Sequence, residues 1–205
     1  MQKTGIWAEI EEARAKWNVL KHPFYQRWSA GELTSEELAH YAGQYRHATQ
    51  ALATLSADAA ESAPADEQAG LRRHAAEEEA HVGLWDGFLN EVGGDAGAAP
   101  TPETSECVAQ WTGEGDFASQ LVRLYAIESG QPDISRTKRE GLAEHYGVGD
   151  GDGNAYFRVH ERADVEHAAA ARELIERHSD PGDHPAMVAT AEATFAANWR
   201  LLDGV

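Results

Sequence analysis

Tyr156-Phe157-Arg158-Val159-His160-Glu161-Arg162-Ala163-Asp164-Val165-Glu166-His167 is the stretch on which the reading of this chain turns. It sets His160, Asp164 and His167 at offsets of zero, four and seven. At ~3.6 residues per helical turn, those offsets return to within about 40° and 20° of the starting azimuth. Two imidazoles and a carboxylate therefore stand in a column on one helix face. Imidazole with carboxylate and without thiolate suits zinc, copper, nickel or non-heme iron better than an iron–sulfur site. A solvated face on a polar helix would give the same pattern, so other ligand-type residues must decide.

Outward from that helix, almost everything else also reads as helix. Ile6, Ile10, Ala13, Trp17 and Leu20 recur at three- and four-residue steps and stop at His22-Pro23. A short helix over Phe24–Trp28 closes at Gly31, and Thr34-x-x-Glu37 is a capping box opening a long helix through Leu38, Tyr41, Tyr45, Leu52 and Leu55. Pro64 opens another that runs to Gly93-Gly94, with Leu71, Leu84, Trp85, Phe88 and Leu89 on its apolar side. The Gly-, Ala- and Pro-rich run Gly94–Pro102 is a loop. Helices follow near Glu103–Trp111, Asp116–Glu128, Pro132–Tyr146, Asn154–His178 and His184–Leu202. With no period-2 strand and no long internal repeat, the expectation is an all-α bundle of about seven to eight helices. Residues 1–205 fit one domain.

Composition narrows the partners. Asp and Glu number 35 against 17 Lys and Arg, a formal charge of −18, and only Lys3, Lys16, Lys21 and Lys138 are lysines. Such a surface repels phosphate backbones and anionic lipids, which argues against nucleic acid and membranes. Its acidic, lysine-poor, alanine-rich character fits a halophilic, salt-adapted proteome. Disorder is excluded by 42% hydrophobic residues and six tryptophans. Met1-Gln2-Lys3-Thr4-Gly5 opens no apolar signal segment, and no run reaches the ~20 residues of a membrane span. A soluble, cytoplasmic protein is expected. Cys107 is the single cysteine, so neither an internal disulfide nor a cysteine-rich metal site can form.

Two further segments carry ligand-type residues. Glu77-Glu78-Glu79-Ala80-His81 contains the Glu-x-x-His register used in bundle-core di-iron sites. Three successive glutamates sweep about 200° of helix, so they cannot all face inward. Glu128 ends the apolar run Leu121–Ile127, where a buried carboxylate needs a metal or cation as partner. Its bland alternative is a solvated helix end.

Taken together, the blocks His22-Pro23-Phe24-Tyr25-Gln26-Arg27-Trp28-Ser29-Ala30-Gly31-Glu32-Leu33-Thr34, His81-Val82-Gly83-Leu84-Trp85, Glu128-Ser129-Gly130-Gln131-Pro132 with Thr137-Lys138 and Gly141-Leu142, and the His–Asp–His helix resemble a known family. The chain is similar to the heme-oxygenase-like helical proteins grouped with TenA and PqqC, and most of all to the CADD-like proteins, over roughly residues 17 to 175. The resemblance implies a non-heme di-iron oxidase or oxygenase that activates dioxygen. The metal would be iron, with manganese or a mixed iron–manganese pair as variants. The substrate would be a small organic molecule or, as implied for the CADD-like proteins, an internal tyrosine converted to 4-aminobenzoate. A homodimer is implied as well.

By position, the resemblance assigns His81, Glu128, His160, Asp164, His167 and a glutamate upstream of His81 as metal ligands. It places Tyr25, Tyr41, Lys138 and Tyr156 beside them. The relatives space that glutamate further from the histidine, but the residue seven before His81 is His74. The glutamate is then Glu78 or Glu77, and the Glu-x-x-His register favours Glu78. His22, His40, His47, His74, His145, His178 and His184 are read as structural or exposed.

Competing patterns are weaker. His160-Glu161-x-x-Asp164 lacks the second histidine of a zincin motif, and Glu161 lies off the ligand column. Asp150-x-Asp152-x-Asn154 imitates a calcium loop but carries Ala155 where glycine is required. Cys107 reads as a small buried residue rather than a nucleophile. Two alternative functions stand beside the di-iron reading: a PqqC-like, metal-free oxidase of a quinol-like aromatic, and a TenA-like or non-enzymatic ligand- or protein-binding module.

Overall fold

A computed structural model describes residues 3–205. Its elements are nine α-helices: α1 (Lys3–Lys16), α2 (Pro23–Ala30), α3 (Ser35–Ser62), α4 (Gln68–Glu91), α5 (Pro102–Trp111), α6 (Phe117–Glu128), α7 (Gln131–His145), α8 (Ala155–His178) and α9 (His184–Asp203), with short 3₁₀ turns at Val19–Lys21 and Asp152–Asn154. There is no strand among the described residues. The fold class is all-α, as expected, and the two-turn α2 brings the count to nine. Two boundaries differ from the periodicity. The first helix ends at Lys16 because the Asn18 side chain caps a separate 3₁₀ turn by accepting from the Leu20 amide. α4 starts at Gln68 because Pro64–Glu67 forms a turn, closed by the Glu67 amide on the Pro64 carbonyl.

Local signals set the remaining ends. Thr34 and Glu37 complete their reciprocal capping box, and Thr101 and Asp116 cap α5 and α6 through their side chains. His22 caps α2 by accepting from the Phe24 amide and also meets Asp203 at 3.1 Å. His47 and His145 bond the carbonyls of Ala98 and Ser29. These histidines are structural, as read from sequence.

α3 and α4 pack along each other, α8 crosses α4, α6 and α7, and α1, α5 and α6 lie against α9. Two apolar clusters result. One gathers Trp28, Tyr41, Trp85, Phe88, Phe157 and Leu201; the other gathers Ile6, Ile10, Leu121, Val122, Ile175 and Ala191. Both α4 and α8 run from one cluster to the other, in opposite senses. Along α4 the order is Leu71, then His74 to His81, then Trp85; along α8 it is Tyr156 and Phe157, then His160 to His167, then Ala171 and Ile175. The polar residues of the two helices thus form a belt between two dry cores. α2 reaches this interior because α7 presents Gly141 to Trp28. A Cβ there would stand 2.6 Å from the indole nitrogen, which itself donates to the Lys138 carbonyl at 3.3 Å.

Candidate metal centre

The belt is built from one spacing used twice. His160-x3-Asp164-x2-His167 on α8 faces His74-x3-Glu78-x2-His81 on α4. Because the helices run antiparallel, His74 lies against His167 with ring centroids 4.4 Å apart, and His81 lies against His160 at 4.5 Å. Glu78 sits between the pairs. Its Oε1 is 3.1 Å from His81 Nδ1 and 3.7 Å from both His74 Nε2 and His167 Nδ1; its Oε2 is 3.8 Å from His160 Nε2. From α6, Glu128 brings Oε1 to 2.7 Å from His74 Nε2. Asp164 Oδ1 is 3.4 Å from His167 Nδ1.

All six residues read from sequence as candidate ligands therefore converge, and Glu78, not Glu77, is the inward glutamate. Glu77 points outward and meets His167 from the solvent side. His74 is the correction. It was read as structural or exposed, yet it is a seventh member of the cluster, because positions 74, 78 and 81 share one helix face. The repeated zero–four–seven spacing is the sequence signal that could have found it.

The donors fit a metal. Two ligands each about 2.1 Å from one ion stand roughly 3.0–3.4 Å apart, and the distances above bracket that range. Glu78, Glu128, His160 and Asp164 are no more than 2% exposed. Nevertheless both oxygens of Asp164, Oε2 of Glu128, and the inner nitrogens of His160 and His167 lack a hydrogen-bond partner, and Glu128 Oε1 has only its 2.7 Å contact with His74 Nε2. Buried carboxylates left so are costly unless a cation sits among them. His160 Nδ1 donates to the Tyr156 carbonyl at 2.8 Å, which leaves the Nε2 lone pair facing inward, the tautomer a metal ligand requires. Two groups emerge: His74, Glu78, Glu128 and His167 in one, Glu78, His81 and His160 in the other, with Glu78 common to both.

Electrostatics agree. Burial alone would raise the Glu78 carboxyl, but the imidazoles of His160 and His81 hold it well below the usual carboxylate range. Burial raises Glu128 against the opposing pull of His74. His167 resists its burial and is raised to about 9 by Asp164 and Glu128.

Beyond His160, buried aromatic rings close a packed shell, or chamber, around one amine. Tyr156 stacks on the His160 ring at 3.8 Å and meets Trp85 at 4.9 Å. Tyr25 and Tyr41 share a hydroxyl contact of 3.3 Å, and Gln131 donates to the Tyr45 hydroxyl at 2.9 Å. Lys138 is fully buried among these rings. Its Nζ lies 4.3 Å from the Tyr45 centroid, 5.3 Å from Tyr41 and 5.7 Å from Tyr25, with no hydrogen-bond partner. It makes no pair with Glu128. Burial drives its pKa well below that of an ordinary lysine, and burial drives the phenols of Tyr25, Tyr41 and Tyr156 well up. Tyr45 belongs to this chamber too. Sequence treated it as core, and its helical spacing from Tyr41 is the signal for its shared face. Cys107 is buried in the apolar core with its thiol pKa pushed up, as a packing residue should be.

Comparison with known proteins follows the same line. Residues 39–199 match the family described as iron-containing redox enzymes. The chain is 33% identical to the 4-aminobenzoate synthase of Nitrosomonas europaea, an alignment covering 92% of this chain and 85% of that protein. The 4-aminobenzoate synthase of Chlamydia trachomatis is also 33% identical, covering 78% of this chain and 74% of that one. A solved domain with a heme oxygenase-like fold from Shewanella denitrificans superposes with a TM-score of 0.81 at 19% identity, over 95% of this chain and 88% of its own. A TenA homologue from P. horikoshii gives 0.76 at 16% identity, over 95% and 96%. The solved structures carry the heme-oxygenase-like fold. With a family match over most of its helices and relatives at such identity, the chain belongs to the iron-containing redox enzymes.

Proposed function

We propose that this iron-containing redox enzyme holds two metals, iron or an iron–manganese pair, on His74, Glu78, His81, Glu128, His160, Asp164 and His167. We further propose that it spends dioxygen on its own Tyr25 to make 4-aminobenzoate. The observation that carries this reading is the sealed chamber: Tyr25, Tyr41 and a buried Lys138 share it with Tyr156, which lies on a ligand histidine. The metals would supply activation of dioxygen. The remaining work falls to the chain's own groups.

Tyr156 on His160 forms the wall between the metal ligands and the chamber, and the absence of exposed surface at these residues excludes bulk water. Tyr41 holds the Tyr25 hydroxyl through their mutual contact. Lys138, kept neutral by burial, has its nitrogen lone pair free, the form needed for a nucleophilic or donated amine. The ring and carboxyl carbon of 4-aminobenzoate correspond to the ring and Cβ of a tyrosine, with nitrogen in place of the phenolic oxygen. The relatives' name supplies the product class, and the chamber supplies both the phenol and the amine.

Anaerobic protein loaded with Fe(II), then exposed to dioxygen, should show a mass change at Tyr25 by intact-mass and peptide mass spectrometry. Lys138→Arg should abolish that change while leaving iron binding intact. Dioxygen consumption with Tyr25 and Lys138 unaltered would mean an external substrate.

A further inference from the structure

The metal cluster reaches solvent on one side, along a cleft of about 400 Å³ between α4 and α8. His74 and His167 stand at its inner end, and Glu77 and Glu166 are among its walls. At this end the two ring nitrogens of His167 are not equivalent in their surroundings. Nδ1 faces Asp164 and Glu78, at 3.4 and 3.7 Å, with no hydrogen-bond partner. Nε2 faces away from the cluster and meets Glu77 Oε2 at 3.1 Å. His160 is held by the Tyr156 carbonyl inside the protein, whereas the group that holds His167 is a side chain on the solvent side.

We propose that Glu77 is a positioning residue of the metal centre, the outer carboxylate that accepts the Nε2 proton of His167 and so fixes Nδ1 as its metal-binding atom. The proposal rests on the two-metal reading above. Metal-binding imidazoles are oriented by an acceptor on their second nitrogen, and losing that acceptor weakens metal binding by about ten- to a hundred-fold. Glu77 is 55% exposed at its side chain, so solvent competes for it and the lower figure applies. The geometry also separates positioning from direct ligation. As a ligand, Glu77 would have to leave His167 and turn inward past Glu78, which already fills that position on α4.

Three variants test this with Co(II), whose visible spectrum reports ligand number: Glu77→Gln, Glu77→Ala and, as a surface-charge control on the same helix, Glu79→Gln. Wild-type protein should bind two equivalents. Glu77→Ala should bind one of them about ten-fold more weakly, and the solvent-exchangeable imidazole N–H proton of His167 should vanish from the paramagnetic NMR spectrum of the Co(II) form. Glu77→Gln keeps an acceptor and should restore the proton and most of the affinity. Glu79→Gln should match wild type. Unchanged affinity in Glu77→Ala overturns the proposal and leaves the two-metal reading standing. Loss of a whole equivalent in both Glu77 variants overturns it too, by making Glu77 a ligand. If wild-type protein binds no Co(II), the two-metal reading falls and the proposal with it.

Discussion

Replacing Lys138 with methionine should make the protein more stable while removing the chemistry proposed for this residue. Lys138 is fully buried, its Nζ has no hydrogen-bond partner, and five aromatic rings surround it. A charged ammonium there would gain up to about 2 kcal/mol from the ring faces. Burial, however, lowers the lysine pKa well below its ordinary value and so works against the charged form, which offsets that gain. What remains is a buried polar group without a partner, a penalty of about 1–3 kcal/mol. Methionine fills nearly the same volume and contacts aromatic rings favourably through sulfur. A net gain of about 2 kcal/mol is expected, which for a chain of this size raises Tm by roughly 4–8 °C.

The sign of the pH dependence provides a second check. The folded pKa of Lys138 is depressed, so between it and the ordinary lysine value of about 10.4 the unfolded chain binds the extra proton. Wild-type stability should therefore rise with pH in that window, by at most about 1.4 kcal/mol per unit. The advantage of Lys138→Met should shrink accordingly as pH rises toward that ordinary value. Thermal and denaturant unfolding of both metal-free proteins at fixed salt measure it, other titrations cancelling in the difference. A variant less stable than wild type by more than about 1 kcal/mol, or an advantage flat with pH, would show Lys138 to be charged and paired, and the neutral-amine argument would fail.

Removing His74 should separate the two metal positions: His74→Ala should bind its second equivalent of Fe(II) at least about ten-fold more weakly by metal analysis after dialysis, with the first little changed. Equal loss of both equivalents would show a single shared site. Chelation should lower Tm, because Glu78, Glu128 and Asp164 are then left facing one another. Anaerobic Fe(II) at a hundred times its Kd should restore about 2.7 kcal/mol, and a melting curve indifferent to metal would refute an internal site.

The α8 column was legible because its offsets of four and seven mean one face only if the segment is helical, and the same reading recovered the helices around it. Glu78 was chosen over its neighbours by register alone, and it is the glutamate that turns inward. His74 was missed for an instructive reason. The resemblance called for glutamate seven residues before His81, so a histidine there read as an absence, although helix geometry places any residue at that offset on the ligand face. Spacing was the better guide than residue type. The chamber was legible only in part: Tyr25, Tyr41, Lys138 and Tyr156 came from resemblance, while Tyr45 and Trp85 carry the periodicity of core residues. Nothing in periodicity distinguishes an aromatic that packs from one that encloses an amine.

In the two-metal reading proposed above, the repeated spacing would also account for an unequal pair of metal positions. Antiparallel α4 and α8 alone would give two matched layers, His74 with His167 and His81 with His160, sharing Glu78. Glu128 breaks the match, because α6 delivers its carboxylate to the His74 layer only. The His81 layer is thus left with fewer protein donors, and it is the layer on whose histidine Tyr156 stacks. An ion with fewer protein ligands keeps more positions for dioxygen. The better-filled layer lies at the inner end of the cleft, nearer solvent. This division supports oxidation directed toward the dry chamber and away from water. It also explains why so exposed a residue as Glu77 would matter: it orients a histidine of the layer that meets solvent, where no buried carbonyl does that work.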